Sequence, residues 1–158
     1  MKKSLITLLS TIAGAAAGAA LSGILSEKTN KKTNEKIDKF RIYYNMLNQW
    51  LVLKQENKSI ESYFTNNEYK TIAIYGMGEM GNRLYEDLKD TEIKVRYAID
   101  KNAGTTYSKI ELKDIGDELE IVDVVIVTAV FAFDEIQELI ADKFDCPIIS
   151  LEEVIYEV

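Results

Sequence analysis

The spacing of hydrophobic positions changes twice along the chain, and each change marks a new kind of element. From Ser4 to Ser26 ("SLITLLSTIAGAAAGAALSGILS") no residue carries a charge. Wound as a helix, this run is about 34 Å long, close to the thickness of a bilayer core. Between Lys36 and Ser59 the pattern turns amphipathic. Ile37, Phe40, Tyr44, Leu47 and Leu51 recur at alternating spacings of three and four, with Tyr43 and Trp50 widening the stripe. That predicts a helix with one apolar face, packed on its own domain or on a second copy. Gln55 to Ser59 breaks the pattern, a short helix follows through Phe64, and Thr65 to Glu68 reads as a linker.

From Tyr69 onward, short continuous apolar runs alternate with helical spacing. "YKTIAIYG", "IKVRYAID", "VDVVIVTAV" and "PIISL" read as strands buried on both faces, as in a parallel sheet. Leu84 and Leu88 mark the inner face of one intervening helix; Ile136, Leu139 and Ile140 mark that of another. A short strand is expected at Tyr107 to Ile110, with a turn of helix near Glu111 to Leu119. Pro147 stands at the start of the last strand, where a missing N–H does least harm. Ser150 and Glu153 have the spacing of a capping box for a final helix. Right-handed crossovers then give an α/β, Rossmann-like parallel sheet of about five strands in order 3-2-1-4-5, with a crevice where the first and fourth strands end. The domains expected are a membrane helix at 4–26, an amphipathic helical linker at 27–68 and the α/β domain at 69–158.

Strand, glycine turn, helix, strand and acidic residue follow one another in the order a dinucleotide-binding turn requires. Gly76 permits the tight turn, Gly78 lets the backbone approach a pyrophosphate, and Gly81 lets the helix approach the strand. The exposed N–H groups and dipole of the helix start attract the anion. Asp100, at the end of the second strand, would accept hydrogen bonds from ribose hydroxyls, favouring a nucleotide without a 2′-phosphate. The candidate contacts are Gly76, Met77, Gly78, Glu79, Met80, Gly81, Asp100, Lys101 and Thr128, with Thr128 lining the crevice from the fourth strand. Glu79 dissents, because its charge sits where a phosphate would arrive; it points outward or stands in for the anion. A glycine turn that serves only the fold is the alternative.

For the uncharged N-terminal run, modest hydrophobicity leaves three readings: a transmembrane anchor, a cleaved signal peptide beginning at Lys2-Lys3, or a soluble helix. A nucleotide-binding turn has little to bind outside a cell, which favours the anchor. Lys28, Lys31, Lys32, Lys36, Lys39 and Arg41 follow the run, against Lys2 and Lys3 before it. The positive-inside rule then puts the protein in the cell membrane as a single-pass chain, with its C-terminal domain in the cytoplasm. Gly14, Gly18 and Ser22 share one helical face, a small-residue pattern that permits close pairing of two helices in lipid. With the Ile37–Leu51 stripe it suggests a homodimer, although the nearby lysines also suit a helix lying on lipid.

The formal net charge of −7 argues against nucleic acid as the main partner, since phosphate binding along a strand needs a basic face. The chain has no histidine, which removes Ser-His-Asp and Cys-His catalysis and every histidine metal site. Its one cysteine, Cys146, reads as a small buried hydrophobe. Tyr85 and Lys89 share the Tyr-x-x-x-Lys spacing of short-chain dehydrogenases, but on a helix beside the turn they read as a solvent-facing pair. The sequence therefore offers no complete catalytic constellation.

"TIAIYGMGEMGNRLYEDL", "YAIDKN" and "VDVVIVTAV" together resemble the Rossmann-type domain attached to bacterial surface-polysaccharide enzymes. That domain is the accessory domain of membrane-bound nucleotide-sugar dehydratases and the N-terminal domain of some sugar acetyltransferases. The resemblance covers Tyr69 to about Val158. It implies that Gly76, Gly78, Gly81 and Asp100 bind NAD or a nucleotide-sugar, and that a membrane glycan-biosynthesis enzyme is a partner. Two alternatives differ in class. One is a nucleotide sensor resembling the domains that gate potassium transport. The other is a small NAD-dependent oxidoreductase completed by a partner chain.

Overall fold

The structure, a computed structural model, describes residues 30–101 and 109–158. The chain divides into two compact units, Met1–Arg41 and Ile42–Val158. Of the first unit, residues 30–41 are helical and exposed, and Arg41 pairs with Asp38 at 2.8 Å. The predicted span at 4–26 and the Gly14/Gly18/Ser22 face lie outside the described residues. Among those described, no helix is long and apolar enough to cross a membrane.

The helix covering 30–55, α1, continues into the second unit. There it is followed by α2 (Glu61–Asn66), β1 (Thr71–Tyr75), α3 (Glu79–Leu88), β2 (Lys94–Ile99) and β3 (Leu112–Lys113). The chain closes with β4 (Val124–Val127), α4 (Phe133–Ile140), β5 (Ile148–Ser150) and α5 (Leu151–Tyr156). The five strands form one parallel sheet in the expected order, β3-β2-β1-β4-β5. Register matters more than order here. Lys113, Ile99, Tyr75, Val127 and Ser150 form one row across the sheet. All five strands thus stop at one level, and the residues after them share a single edge.

Alternation along the strands splits the core into two layers. Ile72, Ile74, Ala98, Val124, Ile126 and Ile149 face α2, α3, α5 and the second half of α1. Ala73, Tyr75, Tyr97, Ile99, Val125 and Val127 face α4. Leu84 and Leu88, four apart on α3, are fully buried as expected, each contributing about 1.5–3 kcal/mol.

Four local expectations need correction. The stripe on α1 packs along one margin only. Tyr44 is 61% and Leu51 55% exposed, and Ile37 and Phe40 are exposed too, whereas Tyr43 and Leu47 are partly buried and Trp50 is buried with Met46 and Leu53. At 100° per residue the face of the three buried residues centres roughly 140° round the helix from the four exposed ones. Trp50 fixes it: its indole N–H donates to Asp87 on α3 at 2.8 Å, and Lys54 donates to the same carboxylate at 2.7 Å. Tyr107 and Ser108 of the expected third strand lie outside the described residues; the described third strand is Leu112–Lys113, and no helix follows it. Asp114 and Asp117 capture the N–H groups of Gly116 and Asp114, at 3.0 and 2.7 Å, and hold a turn in place of a helix. Leu139 is exposed: α4 buries the i, i+4 pair Ile136 and Ile140, with Phe133 partly packed beside them. At α5, Ser150 accepts from the Glu152 N–H, but Glu153 turns away to accept the Tyr63 hydroxyl at 3.1 Å. That is a single cap rather than a capping box.

The first strand is tied at its start by Asp123, just ahead of β4. One carboxylate oxygen accepts from the Lys70 N–H (2.8 Å), the Thr71 N–H (2.7 Å) and the Thr71 hydroxyl (3.0 Å). The Lys70 and Thr71 backbone donors hold this carboxyl below its usual range. A carboxyl so depressed stabilises the fold above its unfolded value, about 4, and stops doing so as pH falls through its folded value. Asp123→Asn should therefore lower stability at pH 7 by about 1 kcal/mol, a figure reduced for exposure of the carboxylate. The gap from wild type should close as the pH is taken below about 4. Urea unfolding at several pH values checks this; a gap independent of pH would refute it.

Candidate functional site

The turn after β1 sits at the centre of the strand-end row and is held from both neighbouring strands. Gly76 donates to the Ile99 carbonyl at 2.7 Å. Its φ is +97°, a region that side chains rarely enter, and a Cβ there would meet the Thr128 hydroxyl at 2.9 Å. Gly81 is more constrained still. A Cβ on it would lie 2.1 Å from the Gly76 carbonyl oxygen, so the first turn of α3 presses directly on the glycine turn. These two glycines are required by the fold.

Gly78 is different. It is exposed, its φ of −69° suits any residue, and a Cβ there would have nothing within 4 Å. As N-cap of α3, this is where Ser, Asp or Asn would hydrogen-bond the open N–H groups of the first turn. The chain places glycine there, and no side chain caps the helix. The result is a set of unclaimed N–H donors, with the positive end of a ten-residue helix, facing open space.

The remaining predicted contacts separate sharply. Glu79 points outward: it is 75% exposed and pairs with Arg83 one turn on at 2.7 Å, so it does not stand in for an anion. Met77 and Met80 contribute backbone only, since both side chains are buried in the core. Asp100 does reach the turn, but from beneath; Oδ2 accepts the Met77 N–H at 2.9 Å. Lys101 is exposed in the turn that follows. Thr128 is buried and does not line an open crevice, because its hydroxyl donates to the Gly76 carbonyl at 2.7 Å. Its role is to brace the turn from β4.

Two participants were not anticipated. Asn82 donates through its amide to the carbonyls of Met77 (3.0 Å) and Gly78 (2.9 Å), fixing the peptide planes that aim the neighbouring N–H groups. An asparagine in the first turn of a helix after a glycine turn is the only sequence signal for this. Tyr75 closes β1 on the α4 side; burial, with the Asp100 and Asp114 charges behind it, raises its pKa and keeps the phenol protonated. Tyr85 is half-buried against the core rather than solvent-facing, and Lys89 pairs with Glu86 at 2.6 Å. Among the described residues, no group of three His, Cys, Asp or Glu side chains is placed to hold a metal ion.

Compared with known proteins, the chain matches no protein family, no curated protein and no solved structure.

The three glycines should respond differently to alanine. Gly76→Ala should cost about 1–2 kcal/mol for the left-handed backbone alone. Gly81→Ala should cost about 3 kcal/mol or more, since backbone has to move. Gly78→Ala should stay within about 1 kcal/mol of wild type, a lost N-cap preference offsetting the reduced freedom of the unfolded chain. Chemical denaturation of the three variants measures the order; Gly78→Ala falling with the other two would contradict it.

Proposed function

We propose that the α/β domain binds the pyrophosphate of a nucleotide or nucleotide-sugar at the start of α3. In this reading the protein is a membrane-anchored, cytoplasm-facing accessory component of surface-polysaccharide assembly. Gly78 carries the proposal. A residue that the fold does not require to be glycine is glycine at the one position where any side chain would cover the helix N-terminus. The supports around it agree: Asn82 and Asp100 orient the peptide planes, Thr128 braces the turn, and Glu79 is drawn aside by Arg83. Asp100 stands beside the turn as the candidate ribose contact, with its Oδ2 accepting the Met77 N–H.

Anchoring rests on the uncharged run at 4–26 and the lysines after it. The pathway, and a glycan-biosynthesis enzyme as partner, rest on the resemblance of the glycine-turn and strand motifs. A homodimer is supported by the exposed Tyr44 and Leu51 on α1 and by Ile37 and Phe40, which are exposed as well.

The test is Gly78→Asp in the full-length chain purified in detergent. The new carboxylate would cap α3 and lie over the anion site. Without ligand the variant should be as stable as wild type or more so, by about 0.5–1 kcal/mol. NAD, UDP-glucose or ADP, at least one of which should raise the melting temperature of wild type, should leave the variant unmoved. If none of the three shifts wild type, the turn serves the fold alone and the proposal fails.

A further inference from the structure

Tyr75 is the last residue of β1 and stands directly before the glycine turn. Its ring packs in the layer that faces α4, with Ile99 and Val127 beside it in the same row. Only 5% of the residue is exposed, and among the described residues no hydrogen bond engages its hydroxyl. A tyrosine so deeply buried ordinarily finds a partner for its O–H. The other two buried tyrosines do: Tyr63 donates to Glu153 at 3.1 Å and Tyr97 to the Glu120 carbonyl at 2.7 Å. Among the described residues, no polar side-chain atom shut away from solvent lacks a partner. The hydroxyl of Tyr75 is therefore the part of the residue that reaches the surface.

The register shows where it does so. Tyr75, Ile99 and Lys113 share one row, so Gly76, Asp100 and Asp114 are the first residues beyond it on three adjacent strands, about 5 Å from one strand to the next. Asp100 and Asp114 are the two charges that act on the phenol. Its hydroxyl thus faces the strand-end edge on the β2 side, beside the turn. Burial and those charges raise its pKa, so it remains an O–H donor at neutral pH.

Resting on the reading of the turn as a pyrophosphate site, we propose that Tyr75 is a specificity-determining residue of that site, its hydroxyl donating to a ribose hydroxyl of the nucleotide. Gly78 follows three residues later, at most about 10 Å of chain away, which leaves the phenol within reach of a ribose whose diphosphate lies on α3. The surroundings decide which group it meets. A phosphate oxygen would have to lie near the Asp100 and Asp114 charges, whereas a sugar hydroxyl is neutral and accepts from the phenol without that repulsion. Backbone N–H groups then take the anion, and one side chain reads the sugar.

Calorimetric titration of the full-length chain in detergent tests this, with ADP and UDP each set against its 2′,3′-dideoxy counterpart. Wild type should bind the ribose form about tenfold more tightly than the dideoxy form. Tyr75→Phe keeps the ring and removes only the hydroxyl, so it should melt no lower than wild type. It should bind ADP or UDP about fivefold more weakly, and the dideoxy form within about twofold of wild type. Weakening of both forms alike, or of neither, would overturn the inference. So would a variant melting well below wild type, since the hydroxyl would then serve the fold. Equal binding of NAD or UDP-glucose by wild type and variant would overturn it too, and would leave the turn's reading intact. If no nucleotide binds wild type at all, both readings fall together.

Discussion

One close approach organises the domain: the α-carbon of Gly81 against the carbonyl of Gly76, where even a methyl group would sit 2.1 Å from oxygen. It forces α3 to begin directly on top of the turn. That in turn requires the left-handed backbone at Gly76, and the turn is then braced from three directions. Thr128 holds it from β4, Asp100 from the end of β2, and Asn82 from within α3. Because all five strands end in one row, these braces come from neighbouring positions and need no long loops. The open helix start at Gly78 is not dictated by this compression, since packing uses the glycines on either side of it and leaves the middle one clear.

Most of the architecture could be read from the chain because buried parallel strands and their covering helices leave strong one-dimensional patterns. "TIAIY" and "VVIV" are apolar throughout, Leu84 and Leu88 are spaced by four, and the glycines have fixed offsets. Where the reading failed, the deciding contact was between residues far apart in sequence. Thr128 sits at the right strand end to touch a ligand, but 52 residues separate it from the carbonyl that takes its hydroxyl. Asp100 has a role the sequence did not show: its Oδ2 accepts a backbone N–H 23 positions earlier and so props the turn. The packed face of α1 was placed off-centre for the same reason. Spacing centred it on Tyr44 with Trp50 at its margin, while Trp50 is drawn inward by a partner in Asp87 that no local pattern reveals. Local competition explains the rest: aspartates 114 and 117 spend their carboxylates on a turn where helical spacing was expected.

Within the second unit, α1 is better described as a two-sided element than as a linker. Met46, Trp50 and Leu53 bury one side, with Asp87 taking hydrogen bonds from both Trp50 and Lys54. The shared carboxylate fixes α1 along α3 as well as against it, since two donors a turn apart must both reach one side chain. The other side keeps Tyr44 and Leu51 in water. Stability and exposure are thus divided by rotation about one axis, not by position along the chain.

The two edges of the sheet bear on how this protein can meet others. At one edge β3 is only two residues long, and its Lys113 lies over the Tyr97 ring and donates to the Glu118 carbonyl. At the other, Pro147 ahead of β5 has no N–H to offer, and α5 starts as soon as the strand ends. The Pro147 carbonyl bonds to Val125 on β4, so the next carbonyl, that of Ile148, faces outward, and the Gln137 amide covers it at 3.1 Å. Among the described residues, neither margin offers a long run of free backbone to template another strand. Both described edges are thus short and blunted, which disfavours strand addition as a route to assembly or β-aggregation and leaves helix faces and loop ends as the larger exposed surfaces.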